Sequence, residues 1–158
     1  MGTRDLDAAG IHDPALRASY LRCRELHRRF GRSYFLATRL LPRAKRPSVH
    51  ALYGFARYAD EIVDRLDSTL TAAQKRAVLT EWGNTFLGDA KAGASDDPVC
   101  AAVVDTMHRW DTPLEHFVDF LTSMPMDLSV AVYPTYEDLR IYMRGSAAAI
   151  GLMMLPIL

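Results

Sequence analysis

Asp60 and Asp64, two carboxylates one helical turn apart, are the best candidates for chemistry in this sequence. They belong to the stretch 46–66, which projects onto a helix at about 100° per residue. Its apolar face is Leu52, Phe55, Ala56, Ala59, Ile62, Val63 and Leu66, and Gly54, Tyr58 and Arg65 mark the side expected to meet water. Between them His50, Tyr53, Arg57, Asp60 and Asp64 stack at i, i+3, i+4 spacing into one narrow strip. Two readings fit the strip. One is a solvated edge, with Glu61–Arg65 and Arg57–Asp60 as modest surface pairs. The other is a cation site. Two carboxylates facing one small volume suit Mg²⁺, which takes few protein oxygens and leaves the rest of its shell to water and phosphate. The adjacent apolar face favours a line of acids inside a cavity.

The elements that must position this strip are all helical in period; no segment shows the alternation of a half-buried strand. Asp13-Pro14 starts a helix that runs through Leu16, Tyr20, Cys23 and His27 to Phe30, where Gly31 breaks it. Ser33 is expected to cap a shorter helix stopped by Pro42, and the central helix follows with Pro47 near its start and Ser68-Thr69 at its end. Thr71 and Gln74 form a capping-box pattern for a helix with Val78, Trp82 and Phe86 on its apolar stripe. Residues 88–97 read as the one flexible loop, with Asp96-Asp97 as a solvated cap. Asp97-Pro98 and Thr112-Pro113 open two more helices, the second ending near the Met124 and Met126 cluster and Asp127. His108 and His116 lack partners at metal-binding spacing. Thr135 caps a last helix containing Gly145 and Gly151, whose small side chains let another backbone or an extended tail approach closely.

Composition narrows the classes. The 158 residues suffice for one domain with a substantial core. Nineteen basic and nineteen acidic side chains point neither to nucleic acid nor to an acidic partner surface. Cys23 and Cys100 fit free thiols in a reducing cytoplasm. The polar first residues match neither a signal peptide nor a myristoylation site. The run from Gly145 to Leu158 falls short of the roughly 18 apolar residues of a transmembrane span, which leaves peripheral membrane contact open. The end at Leu155-Pro156-Ile157-Leu158 has no polar tail and looks cut.

The segments 33–37, 40–42, 45–46, 51–57 and 59–64 resemble, in order and spacing, the start of a squalene/phytoene synthase, and a looser likeness runs through Met126-Asp127-Leu128 and Tyr142 to Gly151. The resemblance covers the N-terminal half or so of such an enzyme. It implies an all-α fold of antiparallel helices around a central cavity, of the isoprenoid-synthase type, incomplete here because the C-terminal half is absent. It implies head-to-head condensation of two prenyl diphosphates. Two geranylgeranyl diphosphates giving phytoene is the first choice, and two farnesyl diphosphates giving squalene or dehydrosqualene the second. Asp60 and Asp64 would hold Mg²⁺, with Mn²⁺ as the alternative and Glu61 as an auxiliary ligand. Arg32, Ser33, Tyr34 and Arg57 would bind substrate, Asp127 would steer Arg57, and Tyr53 would face the carbocation, with Tyr34 and Phe35 as weaker candidates. Gly145, Ala147 and Gly151 would form a small-residue wall of the substrate tunnel. The second acidic helix of such enzymes has no counterpart after Asp64, so the chain alone is expected not to turn over. A chain-elongating prenyltransferase, a terpene cyclase and a non-catalytic helical module remain the alternatives.

Overall fold

The computed structural model describes residues 2–65, 69–126 and 132–158. In chain order the helices are α1 (Gly2–Ala8), α2 (Pro14–Phe30), α3 (Arg32–Thr38), α4 (Arg46–Arg65), α5 (Ala72–Ala92), α6 (Cys100–Trp110), α7 (Leu114–Ser123), α8 (Tyr136–Met143) and α9 (Ala149–Met154). A short 3₁₀ turn, Arg43–Lys45, leads into α4, and a π-helical turn, Arg144–Ala148, joins α8 to α9. No strand occurs among the described residues. The fold is all-α over the described residues.

Helix α4 is the axis, packing against α1, α2, α3, α5, α6 and α9. Its apolar side centres on Phe55, which is 1% exposed. The rings of Trp82 and Phe86 from α5 lie 5.3 and 4.7 Å from it, and those of Phe117 and Phe120 from α7 both lie at 5.5 Å. Aromatic pairs at such separations add to the gain from burial alone. Against α2 the contact is closer. A Cβ at Gly54 would fall 2.9 Å from the Cys23 Cα, so only glycine lets the two helices meet there. Gly54 therefore sits in a helix interface, where the helical projection placed it on the water side. Tyr58 is likewise partly buried, its ring 5.6 Å from that of Trp82.

Local signals fixed several ends. Asp13 accepts from the Leu16 N–H, and full capping boxes form at Thr71/Gln74 and Thr135/Asp138. Other ends differ from expectation. Helix α5 absorbs 88–92 of the expected loop and stops only at Gly93, which takes a left-handed φ of 83°. A Cβ at Gly88 meets nothing within 4 Å, so that glycine faces open space and does not break the helix. The Asp97 Oδ1 accepts from the N–H groups of Val99 and Cys100, so its cap comes one turn before α6 proper. Gly31, and not Ser33, precedes the first residue of α3, and no side chain caps that helix. Helix α1 carries too little periodicity to be read from sequence; Asp5 and Leu6 bury it against the rest. Both cysteines are free and buried, and burial pushes the Cys23 thiol up to about 12, so neither is poised as a nucleophile.

Candidate active site

The strip on α4 separates into two regions. At its N-terminal end His50 and Tyr53 turn inward. Towards its C-terminal end Asp60 and Asp64 are both exposed. The described residues therefore do not bury these carboxylates in the enclosed cavity expected around them. Glu61, expected as an auxiliary metal ligand, is buried and lies 3.9 Å from the Arg57 Nε. It serves as the carboxylate facing that arginine.

Arg57 is held by stacking. Its guanidinium carbon sits 4.0 Å from the centre of the Phe30 ring, while Arg29 lies over the same ring at 5.2 Å. The Arg57 Nε is buried without a hydrogen-bond partner among the described residues. The Glu61 carboxylate, at 3.9 Å, is too far away to satisfy that donor. Beside it, Arg29, Phe30, Gly31, Arg32, Ser33, Tyr34 and Tyr53 line an open cleft of about 480 Å³. Gly31 is what lets Tyr53 enter this cleft, since a Cβ there would come within 2.6 Å of the phenol ring.

A second, apolar pocket of about 530 Å³ adjoins the first through the shared side chains of Tyr34 and Tyr53. Ala37, Leu41, Leu52 and Ala56 line it on one side, and Ile150, Met154 and Leu158 on the other. The small residues expected as a tunnel wall do not line it. Gly145 packs onto α7, where a Cβ would meet Ser123 and the Asp119 carbonyl; Ala147 is exposed and Gly151 faces open space. The larger side chains of Ile150 and Met154 on α9, and of Leu158 after it, face the pocket. Asp127 lies outside the described residues.

Sequence reasoning passed over His27, which stacks on Tyr53 at 4.1 Å, nearly parallel, and lines the apolar pocket. Its Nδ1 lies 2.9 Å from the His50 Nδ1, so one of the two imidazoles donates to the other. No i, i+4 signal could reveal this pair, whose members lie on α2 and α4. The two rings are 1% and 4% exposed. Burial pushes His27 down to about 4, and burial with the charges of His27, Arg24 and Arg46 pushes His50 down to about 3. The folded pair therefore stays neutral where free imidazoles, with a pKa of about 6.5, take up protons. Below that pH the unfolded chain binds more protons than the folded one, and stability falls as pH drops from about 6.5 towards 4. Urea unfolding between pH 7 and pH 4.5 is expected to show this decline, and His27→Gln/His50→Gln is expected to flatten it. An equally steep decline in the double variant would clear the pair of responsibility.

An all-helical protein of the isoprenoid-synthase type, with a basic cleft opening onto an apolar pocket, is what these features define. The chain belongs to the squalene/phytoene synthase family, whose model matches residues 27–158. It is 34% identical over 149 residues to the phytoene synthase of Arthrospira platensis, covering 94% of this chain and 47% of that protein. Its fold matches the squalene synthase HpnC from Alicyclobacillus acidocaldarius with a TM-score of 0.80 and 29% identity, over 95% of this chain and 55% of the other. A dehydrosqualene synthase solved with a ligand matches with a TM-score of 0.78 and 27% identity, over 90% and 48%. The chain spans less than half the length of curated relatives such as the Arthrospira platensis protein, from 26% to 47% of each.

Proposed function

We propose that this chain is the substrate-binding portion of a prenyltransferase that condenses two prenyl diphosphates head-to-head, two geranylgeranyl diphosphates giving phytoene. Farnesyl diphosphate condensation to squalene or dehydrosqualene is the second choice. The observation that carries the reading is the junction at Tyr34 and Tyr53, where a basic cleft meets an apolar pocket. A molecule with a charged head and a long hydrocarbon tail fits that pairing. Relatives named phytoene synthase support the geranylgeranyl substrate.

Each residue then has a physical task. Arg32, the Ser33 hydroxyl and Arg57 bind the diphosphate oxygens. Tyr34 and Tyr53 stand where head and tail meet. The face of the Tyr53 ring, stacked on neutral His27, is suited to a carbocation. The apolar lining excludes water that would quench it. Asp60 and Asp64 suit a Mg²⁺ ion that shares its shell with substrate, because two exposed carboxylates one helical turn apart supply part of an oxygen set. Bound there, Mg²⁺ or Mn²⁺ would neutralise charge on the departing diphosphate. No described helix is long and apolar enough to cross a membrane.

Because no second acidic strip follows Asp64, the 158 residues alone are expected to bind substrate without completing the reaction. The test is calorimetry with a thiodiphosphate analogue of geranylgeranyl diphosphate, with and without Mg²⁺, alongside incubation with the labelled diphosphate. Mg²⁺-dependent binding without phytoene is expected. Absence of Mg²⁺-dependent binding would overturn the enzymatic reading, and phytoene made by the isolated chain would overturn its incompleteness.

A further inference from the structure

Positive charge is spread unevenly along this chain. Residues 22–46 hold nine arginines and lysines against one acid, Glu25, although the whole chain is balanced. Part of this excess converges away from the candidate active site. Arg4 from α1, Arg24 from α2, Arg39 just after α3, Arg43 from the 3₁₀ turn and Arg46 from α4 wall a cleft of about 290 Å³. Phe35 and His50 complete the wall, and Asp5 is its single carboxylate.

That carboxylate is already engaged. Asp5 lies 3.5 Å from Arg46, whose other donors go to the carbonyls of Leu41 and Arg39. Arg4, Arg24, Arg39 and Arg43 make no ion pair among the described residues. Arg24 is positioned by Phe35, over whose ring its guanidinium sits at 5.1 Å. Four guanidinium groups around one small hollow repel one another unless an anion joins them. Their field reaches the cleft wall, where Arg24 and Arg46 both help to keep His50 neutral.

We propose that this cleft is a second oxyanion site, which takes a phosphate or diphosphate group. It is separate from the Arg32–Ser33 cleft, because α3 divides the two. Tyr34, Ala37 and Thr38 face the apolar pocket, whereas Phe35 and Arg39 face the arginines. The rest of the partition is the imidazole pair, with His27 on the pocket side and His50 on the arginine side. An anion held here would touch His50 and, through His27, the ring stack that ends on Tyr53. Guanidinium forks match phosphate oxygens in pairs, which favours this ligand over a single-point anion such as chloride. The phosphate can come free in solution or on a lipid headgroup. Leu36 and Leu40, 60% and 88% exposed beside the cleft, make the second source reasonable. The assignment stands independently of the condensation proposed above.

The test uses the 158-residue chain and inorganic diphosphate, with the His50 imidazole and Phe35 ring signals followed by NMR. Saturable shifts are expected, weakening as salt rises. Arg39→Gln/Arg43→Gln removes two exposed guanidiniums without touching the core and is expected to weaken binding about tenfold or more. Arg32→Gln/Ser33→Ala is expected to leave these shifts within about twofold, since it alters the other cleft. Flotation with phosphatidylglycerol and with phosphatidylcholine vesicles separates the sources. Capture by the anionic vesicles that is lost in Arg39→Gln/Arg43→Gln assigns a lipid-borne phosphate, and diphosphate shifts without capture assign a free anion. The proposal fails if neither probe binds, if Arg39→Gln/Arg43→Gln binds like the parent, or if the His50 shifts vanish with Arg32→Gln/Ser33→Ala.

Discussion

Asp60→Asn or Asp64→Asn is expected to remove the Mg²⁺-dependent part of prenyl diphosphate binding, with the helical fold left intact. Each substitution keeps the shape of the side chain and deletes one of two negative charges a turn apart on α4. A hard cation held by so few protein oxygens depends on both of them. Changes to groups that merely support a metal ligand cost about 10–100-fold in affinity, so loss of a ligand itself should exceed that. Both side chains are exposed, and exposed substitutions usually change stability by no more than about 0.5 kcal/mol. Calorimetry with the thiodiphosphate analogue, run beside circular dichroism, separates the two effects. Parental Mg²⁺ dependence in either variant would remove the metal assignment. Glu61→Gln should behave differently, because that carboxylate is buried beside Arg57. It is expected to cost folding stability before it costs metal affinity.

The largest effect on stability is expected at Phe55→Ala, about 3–5 kcal/mol. The Phe55 ring is in van der Waals range of four aromatic neighbours on two helices, and removing it leaves a hole that rigid rings close only partly. Natural domains are stable by only about 5–15 kcal/mol, so this one change should bring the chain close to unfolding at room temperature. Urea unfolding of the parent and Phe55→Ala, with Phe55→Leu as the milder control, measures the difference. A loss under about 1 kcal/mol would mean that α4, α5 and α7 do not share one core, against the usual cost of emptying a packed aromatic site.

Much of this protein was legible in its residues because the responsible forces act over one or two helical turns. Period and caps determine α2, α5 and α8, through Asp13, the Thr71/Gln74 box and the Thr135/Asp138 box. The same short-range geometry puts Tyr53, Arg57, Asp60 and Asp64 on one line, and the order of motifs from Ser33 to Asp64 gave the family. Tertiary structure decided what lies across from each residue. Gly54 belongs to an interface because Cys23, 31 positions earlier, has its Cα where a Cβ would go. Glu61 faces Arg57, Phe30 stacks under that same arginine, and His27 meets His50 across two helices. The pocket is lined by Ile150 and Met154 and not by the glycines of the same region, because the π turn and the contact of Gly145 with α7 set which side of the last helices faces inward. Helical periodicity specifies a side chain's direction around its own axis; the neighbour waiting there depends on how distant segments pack, and no pattern within a single helix encodes that.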